Sequence, residues 1–102
     1  MSRASLVVIK WRDIPAQVVA KRGRESERLQ LPPRFAAAID RAAMLAGRTD
    51  FEDYIEEWRR EATPCGDDLE AEVASAATRL DNDYPMSVLN KLVENKGYQE
   101  PS

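Results

Sequence analysis

The stretch Leu6-Val7-Val8-Ile9-Lys10-Trp11-Arg12-Asp13-Ile14-Pro15-Ala16-Gln17-Val18-Val19-Ala20-Lys21 decides the fold class. Two runs rich in β-branched side chains, 6–11 and 17–21, flank a polar segment whose Asp13 and Pro15 favour a turn, so 6–21 reads as a β-hairpin. The first run is apolar at consecutive positions instead of alternating. That is the pattern of an interior strand covered on both faces. Gly23 ends the second strand. Glu27-Arg28-Leu29-Gln30-Leu31 then alternates, which predicts a third strand over 27–31 with Leu29 and Leu31 inward and Arg28 and Gln30 outward.

Beyond the strands the period changes. Pro32 stops the third strand, and Pro33 suits the first position of a helix, where its missing N–H has no intrahelical role. Phe35, Ala38, Ile39, Ala42, Ala43 and Ala46 form an apolar stripe ended by Gly47, predicting a helix over 33–46. Thr49-Asp50-Phe51-Glu52 has the form of a capping box, and Phe51, Tyr54, Ile55, Trp58 and Ala62 give a second stripe, predicting a helix over 50–62. After Thr63-Pro64-Cys65-Gly66, Asp67 or Asp68 can cap a helix over 67–80 on Leu69, Val73, Ala76, Ala77 and Leu80. Pro85 opens a last helix over 86–95 on Val88, Leu89, Leu92 and Val93, finished by Gly97, with 98–102 as a polar tail. The expected architecture is α+β: one domain over 1–97, with a small antiparallel sheet packed against three to four helices.

The chain has 102 residues, of which 43% are apolar, enough for one modest core without a metal or disulfide staple. Net charge is −3, but residues 1–48 carry +6 and residues 49–102 carry −9. Such a split serves either two surfaces with different partners or an attraction between the halves. Cys65 is the single cysteine, so no internal disulfide can form, and a reducing compartment, the cytoplasm, is the expected location. The apolar run 6–9 is far too short for a signal-peptide core or a membrane span. No membrane association is expected.

Chemistry is constrained by absence. With no histidine, Ser-His and Cys-His nucleophile pairs are excluded, and Cys65 has no general base nearby in sequence. The four glycines are not clustered into a phosphate loop. Asp50, Glu52, Asp53, Glu56, Glu57 and Glu61 fall between the apolar positions of the 50–62 helix, where they read as a solvated acidic face with Glu56 pairing Arg60. No catalytic residue, metal ligand or cofactor is therefore expected, and the chain is read as not being an enzyme.

Binding residues are sought instead among polar side chains without an obvious core role. Trp11-Arg12-Asp13 is either an ordinary turn with a local ion pair or a recognition surface, since Trp and Arg dominate interface hot spots. Arg34 and Arg41 lie two helical turns apart on one face and either join Arg12 in a basic patch for an acidic partner or pair internally with Asp13 and Asp40. The candidate partner-binding residues are Trp11, Arg12, Asp13, Gln17, Arg34 and Arg41, and the expected partner is a protein; a homodimer is compatible with the pattern. The segment 28–62 also resembles a ribbon-helix-helix repressor, in which Arg28 and Gln30 would read DNA bases from the major groove. Asp50, Glu52 and Asp53 would then face phosphates, which disfavours nucleic acid as the partner.

A broader resemblance covers roughly residues 5–60. Val8-Ile9-Lys10-Trp11-Arg12-Asp13-Ile14-Pro15-Ala16-Gln17-Val18, Leu31-Pro32-Pro33-Arg34-Phe35, Ala38-Ile39-Asp40-Arg41-Ala42-Ala43-Met44 and Tyr54-Ile55-Glu56-Glu57-Trp58-Arg59 are similar to the small bacterial virulence factor family, also found as a domain of conserved virulence factor C proteins. The family name denotes a phenotype. The resemblance implies an accessory or regulatory protein-interaction module and transfers no catalytic residue. An alternative it brings is a small accessory subunit in folate- or corrinoid-dependent one-carbon metabolism.

Overall fold

The expected hairpin is present in a computed structural model that describes residues 3–48 and 50–99. Strand β1 (Ser5–Trp11) pairs antiparallel with β2 (Ile14–Arg22) across the two-residue turn Arg12-Asp13. Leu6 lies opposite Ala20 and Val8 opposite Val18. The register shifts between Ile9, opposite Gln17, and Lys10, opposite Pro15, leaving Ala16 as the extra residue. A bulge suits that place, because Pro15 has no N–H to give to the ladder. Strand β3 (Glu25–Gln30) returns along β2 after a turn at Gly23, whose φ of 59° lies in the left-handed region. It is an edge strand, exposed at every position. Leu31, just past its end, is buried, whereas Leu29 is not.

Helix α1 (Pro33–Ala46) has the predicted limits. Gly47 closes it at φ 71°, with its N–H directed at the Ala43 and Met44 carbonyls. The segment after it departs from the sequence expectation. Instead of one helix over 50–62 there is a six-residue helix α2 (Phe51–Glu56) followed by a strand β4 (Trp58–Pro64). Thr49, the proposed capping residue, lies outside the described residues; the cap position falls on Asp50, whose side chain makes no capping hydrogen bond. β4 pairs antiparallel with the free edge of β1, giving the sheet order β3-β2-β1-β4. Tertiary pairing overrides the helical period, because the apolar strand β1 would otherwise leave one row of backbone N–H and C=O groups unpaired. The second helix that a ribbon-helix-helix repressor needs over 50–62 is confined to Phe51–Glu56, with β4 in place of the rest.

Helix α3 (Leu69–Asp83) runs three residues past the predicted end and is capped by Asp68, which accepts from the Ala71 N–H at 3.2 Å. It lies over β2 and β3, where Leu69, Val73 and Ala76 close on Ala4, Leu6, Val18 and Ala20. Helix α4 (Met86–Glu94) packs on α1 beyond the hairpin turn, joining Trp11, Ile14, Phe35, Ile39, Leu89 and Leu92 in a second core. Burying each of these large side chains contributes about 1.5–3 kcal/mol, so α1, α4 and the hairpin form one unit. On the sheet face away from α3, Val7 and Val19 are buried among their cross-strand neighbours, which include Ala62 and Arg28.

Candidate functional site

The sequence singled out the hairpin turn, and the structure places it inside the molecule. Trp11 is 0% exposed and Arg12 6%. Arg12 takes φ 54°, unusual for a side chain with a Cβ, and its guanidinium holds that turn to two distant segments. Its Nη1–H donates to the Lys96 carbonyl at 2.7 Å, and Nη2 lies 3.3 Å from Glu57 Oε1. The guanidinium sits between the rings of Trp11 and Tyr98, at 5.0 and 4.6 Å from their centroids. Arg12 Nε has no hydrogen-bond partner among the described residues. Asp13 accepts from Arg59 and from the Gln99 N–H, while its own N–H donates to the Gly97 carbonyl at 2.8 Å. Residues 98 and 99, expected in a polar tail, are thus tied to the turn.

The other basic candidates are also engaged. Arg34 donates to the Asp81 carboxylate at 2.6 Å and to the Tyr84 carbonyl at 3.0 Å, and Arg41 reaches Asn90 Oδ1 at 3.3 Å. Arg12, Arg34 and Arg41 therefore do not make an open basic patch; each closes on a later part of the chain. Arg28 and Gln30 share the face of the sheet that carries Gln17, since Gln17 pairs with Gln30 and Val19 with Arg28. Arg60 is in β4 beside Ile9, so the Glu56–Arg60 helix pair does not form.

Gln17 leads to a different site. With Gln30, Asp40, Tyr54 and Trp58 it lines a cleft of about 310 Å³ whose remaining walls are apolar residues, Leu31 and Ile39 among them. Each wall has a local cause. α1 presents Ala36 and Asp40 one turn apart; β2 and β3 bring the two glutamines opposite each other; and the change from helix to strand at Glu57 lets Tyr54 and Trp58 meet edge to face at 5.8 Å. Tyr54 is fixed from behind, stacked on Trp11 at 5.8 Å while its carbonyl accepts the Trp11 indole N–H at 3.0 Å.

Among the described residues no side-chain hydrogen bond or ion pair engages Gln17, Gln30, Asp40, the Tyr54 hydroxyl or the Trp58 indole N–H. Burial first, and then the Asp40 charge, push the Tyr54 hydroxyl above its ordinary pKa. The helices that wall the cleft also expose apolar side chains. Met44, one turn past Asp40, is 70% exposed, and on α2 Phe51 and Ile55 are 76% and 48% exposed. Glu52 and Glu56 stand beside them, exposed and without an ion-pair partner among the described residues.

Sequence reasoning named Gln17 and Asp40 as polar residues without a core role, and Gln30 as an outward one, but put Tyr54 and Trp58 on a helix stripe. The signal for the cleft lay in β1: an interior strand needs a neighbour on each edge. Elsewhere, burial and then the charges of Glu72 and Asp67 raise the Cys65 thiol pKa, opposite to the shift a nucleophile requires. Among the described residues no group of three or more Cys, Asp or Glu side chains could hold a metal ion, and no helix is long and apolar enough to cross a membrane.

Comparison with known proteins extends the likeness beyond residue 60. The family described as "Virulence factor" matches residues 9–93, reaching from β1 into α4, so the chain belongs to that family. No curated protein and no solved structure matches it.

Proposed function

We propose that this member of the virulence factor family is a non-catalytic accessory module of the cytoplasm that binds a partner protein through the face where α1, α2 and the start of β4 meet. The observation that carries this reading is the exposure of Met44, Phe51 and Ile55 on the two helices that wall a cleft whose polar side chains make no side-chain hydrogen bond or ion pair among the described residues. Grouped apolar side chains beside a mixed cleft are what partner surfaces present, whereas scattered single ones are ordinary. The raised thiol pKa of Cys65 speaks against that residue as a nucleophile.

The test is co-purification of the tagged full chain from its native cells, wild type against a Phe51→Ser/Ile55→Ser double variant. Both side chains are exposed, so the variant should keep the wild-type far-ultraviolet circular dichroism while losing the partner. Equal recovery of the same partner by both proteins contradicts the placement of the interface.

A further inference from the structure

Resting on that reading, we infer that the cleft between α1 and the start of β4 receives one cationic side chain of the partner, an arginine, with Asp40 as its counter-ion. Asp40 is an exposed carboxylate with no cation paired to it among the described residues, although it stands on a helix that also carries Arg34 and Arg41. Those two arginines are drawn to Asp81 and Asn90. Arg48, at the end of the same helix, is drawn to Asp53 and Glu57. The cations of α1 and its C-terminal end are thus drawn to other acceptors, while Asp40 stays unpaired among the described residues, as do Arg28, two residues before Gln30, and Arg60, in the adjoining cavity.

The remaining lining fits a guanidinium better than an ammonium. Gln17 and Gln30 bring two amide oxygens from adjacent strands, spaced about 5 Å apart at the backbone. Together with the carboxylate they offer several acceptors to a planar group with five N–H donors. Tyr54 and Trp58 supply aromatic surface on which the guanidinium can stack. A volume of about 310 Å³ admits the side chain with room for its stem. Glu52 and Glu56 extend the negative field along α2, and Met44, Phe51 and Ile55 supply apolar area for the residues flanking the arginine. The preference is confined to the Asp40 side: an adjoining cavity of about 290 Å³, which shares Gln17 and Trp58 with the cleft, is lined by Arg59 and Arg60.

The experiment is a titration of the full-length, ¹⁵N-labelled protein with N-acetyl-arginine N-methylamide, with the capped citrulline analogue as a neutral control of the same shape. The Trp58 indole N–H and the side-chain amides of Gln17 and Gln30 should shift saturably, while the buried Trp11 indole stays in place. Citrulline in place of arginine, or Asp40→Asn in place of the wild type, should weaken binding by about tenfold, the effect of one lost close charge pair. Absence of a saturable shift, or equal affinity for arginine and citrulline, overturns the inference. The broader reading fails separately. If the partner co-purifies through Phe51 and Ile55 while capped arginine leaves Trp58 unmoved, the interface stands and the arginine site falls. If capped arginine binds as described but the double variant retains the partner, the site stands and the proposed interface falls.

Discussion

Arg12 shows how one residue can look like a recognition element and serve as a tie. Its guanidinium joins the hairpin turn to the Lys96 carbonyl and Glu57 and is sandwiched by Trp11 and Tyr98. Replacing it by methionine keeps most of the stem but strips a charged donor from the part-buried Lys96 carbonyl and from Glu57. The Arg12→Met variant should lose about 3 kcal/mol in urea unfolding, and a loss below about 1 kcal/mol would mean that the tie is dispensable. Gly97 belongs to the same unit: at φ 94° an added Cβ would stand 3.0 Å from Trp11 Cζ3 and 3.2 Å from Arg12 Cδ. Gly97→Ala should cost about 2 kcal/mol, combining backbone strain with overpacking against the turn. At Tyr54 burial is the first cause of the raised pKa and Asp40 the second. Asp40→Asn removes only the second, so ultraviolet titration should show the hydroxyl ionising at lower pH than in the wild type, yet still above its ordinary range. An unchanged titration would contradict the placement of Asp40 beside the phenol.

At the scale of elements, the decisive event is the end of α2 at Glu57. Phe51, Tyr54, Ile55, Trp58 and Ala62 have helical spacing, and a helix over 50–62 would bury all five. In the structure only Tyr54 and Trp58 turn inward, and residues 58–64 pair with β1. Phe51→Ser and Ile55→Ser should therefore change stability by no more than about 0.5 kcal/mol each, as exposed positions do. Trp58→Ala should cost about 2 kcal/mol or more, through lost packing against Tyr54 and the core. A loss of several kcal/mol at Phe51 would restore the long helix. The hairpin, α1, α3 and α4 were all legible, because period and proline or glycine punctuation agree there. β4 was hidden because a short strand with charged residues at Arg59, Arg60 and Glu61 has little periodicity of its own. The hint of it lay only in its partner, since β1, read as an interior strand, needs backbone partners on both edges.

Across the whole molecule, the charge split is partly used in holding the halves together. Lys10–Glu61, Arg12–Glu57, Arg22–Asp67, Arg34–Asp81 and Arg48–Asp53 each join a cation of the first half to an acid of the second. Pairs of this kind contribute little individually where solvent reaches them, but they remove the basic patch that the composition suggested. Asp40, Met44, Phe51 and Ile55 are exposed and make up the apolar and acidic face proposed to bind the partner. Its residues could be listed from the sequence; their convergence could not, since it depends on β4 bringing Trp58 to the glutamines of β2 and β3. The most direct measurement of the central claim is site-specific photocrosslinking in native cells, with a benzophenone side chain placed either at position 51 on α2 or at the exposed position 78 on α3. The account predicts one discrete crosslinked protein from position 51 and none from position 78. The same product from both positions, or a product from position 78 alone, would contradict it.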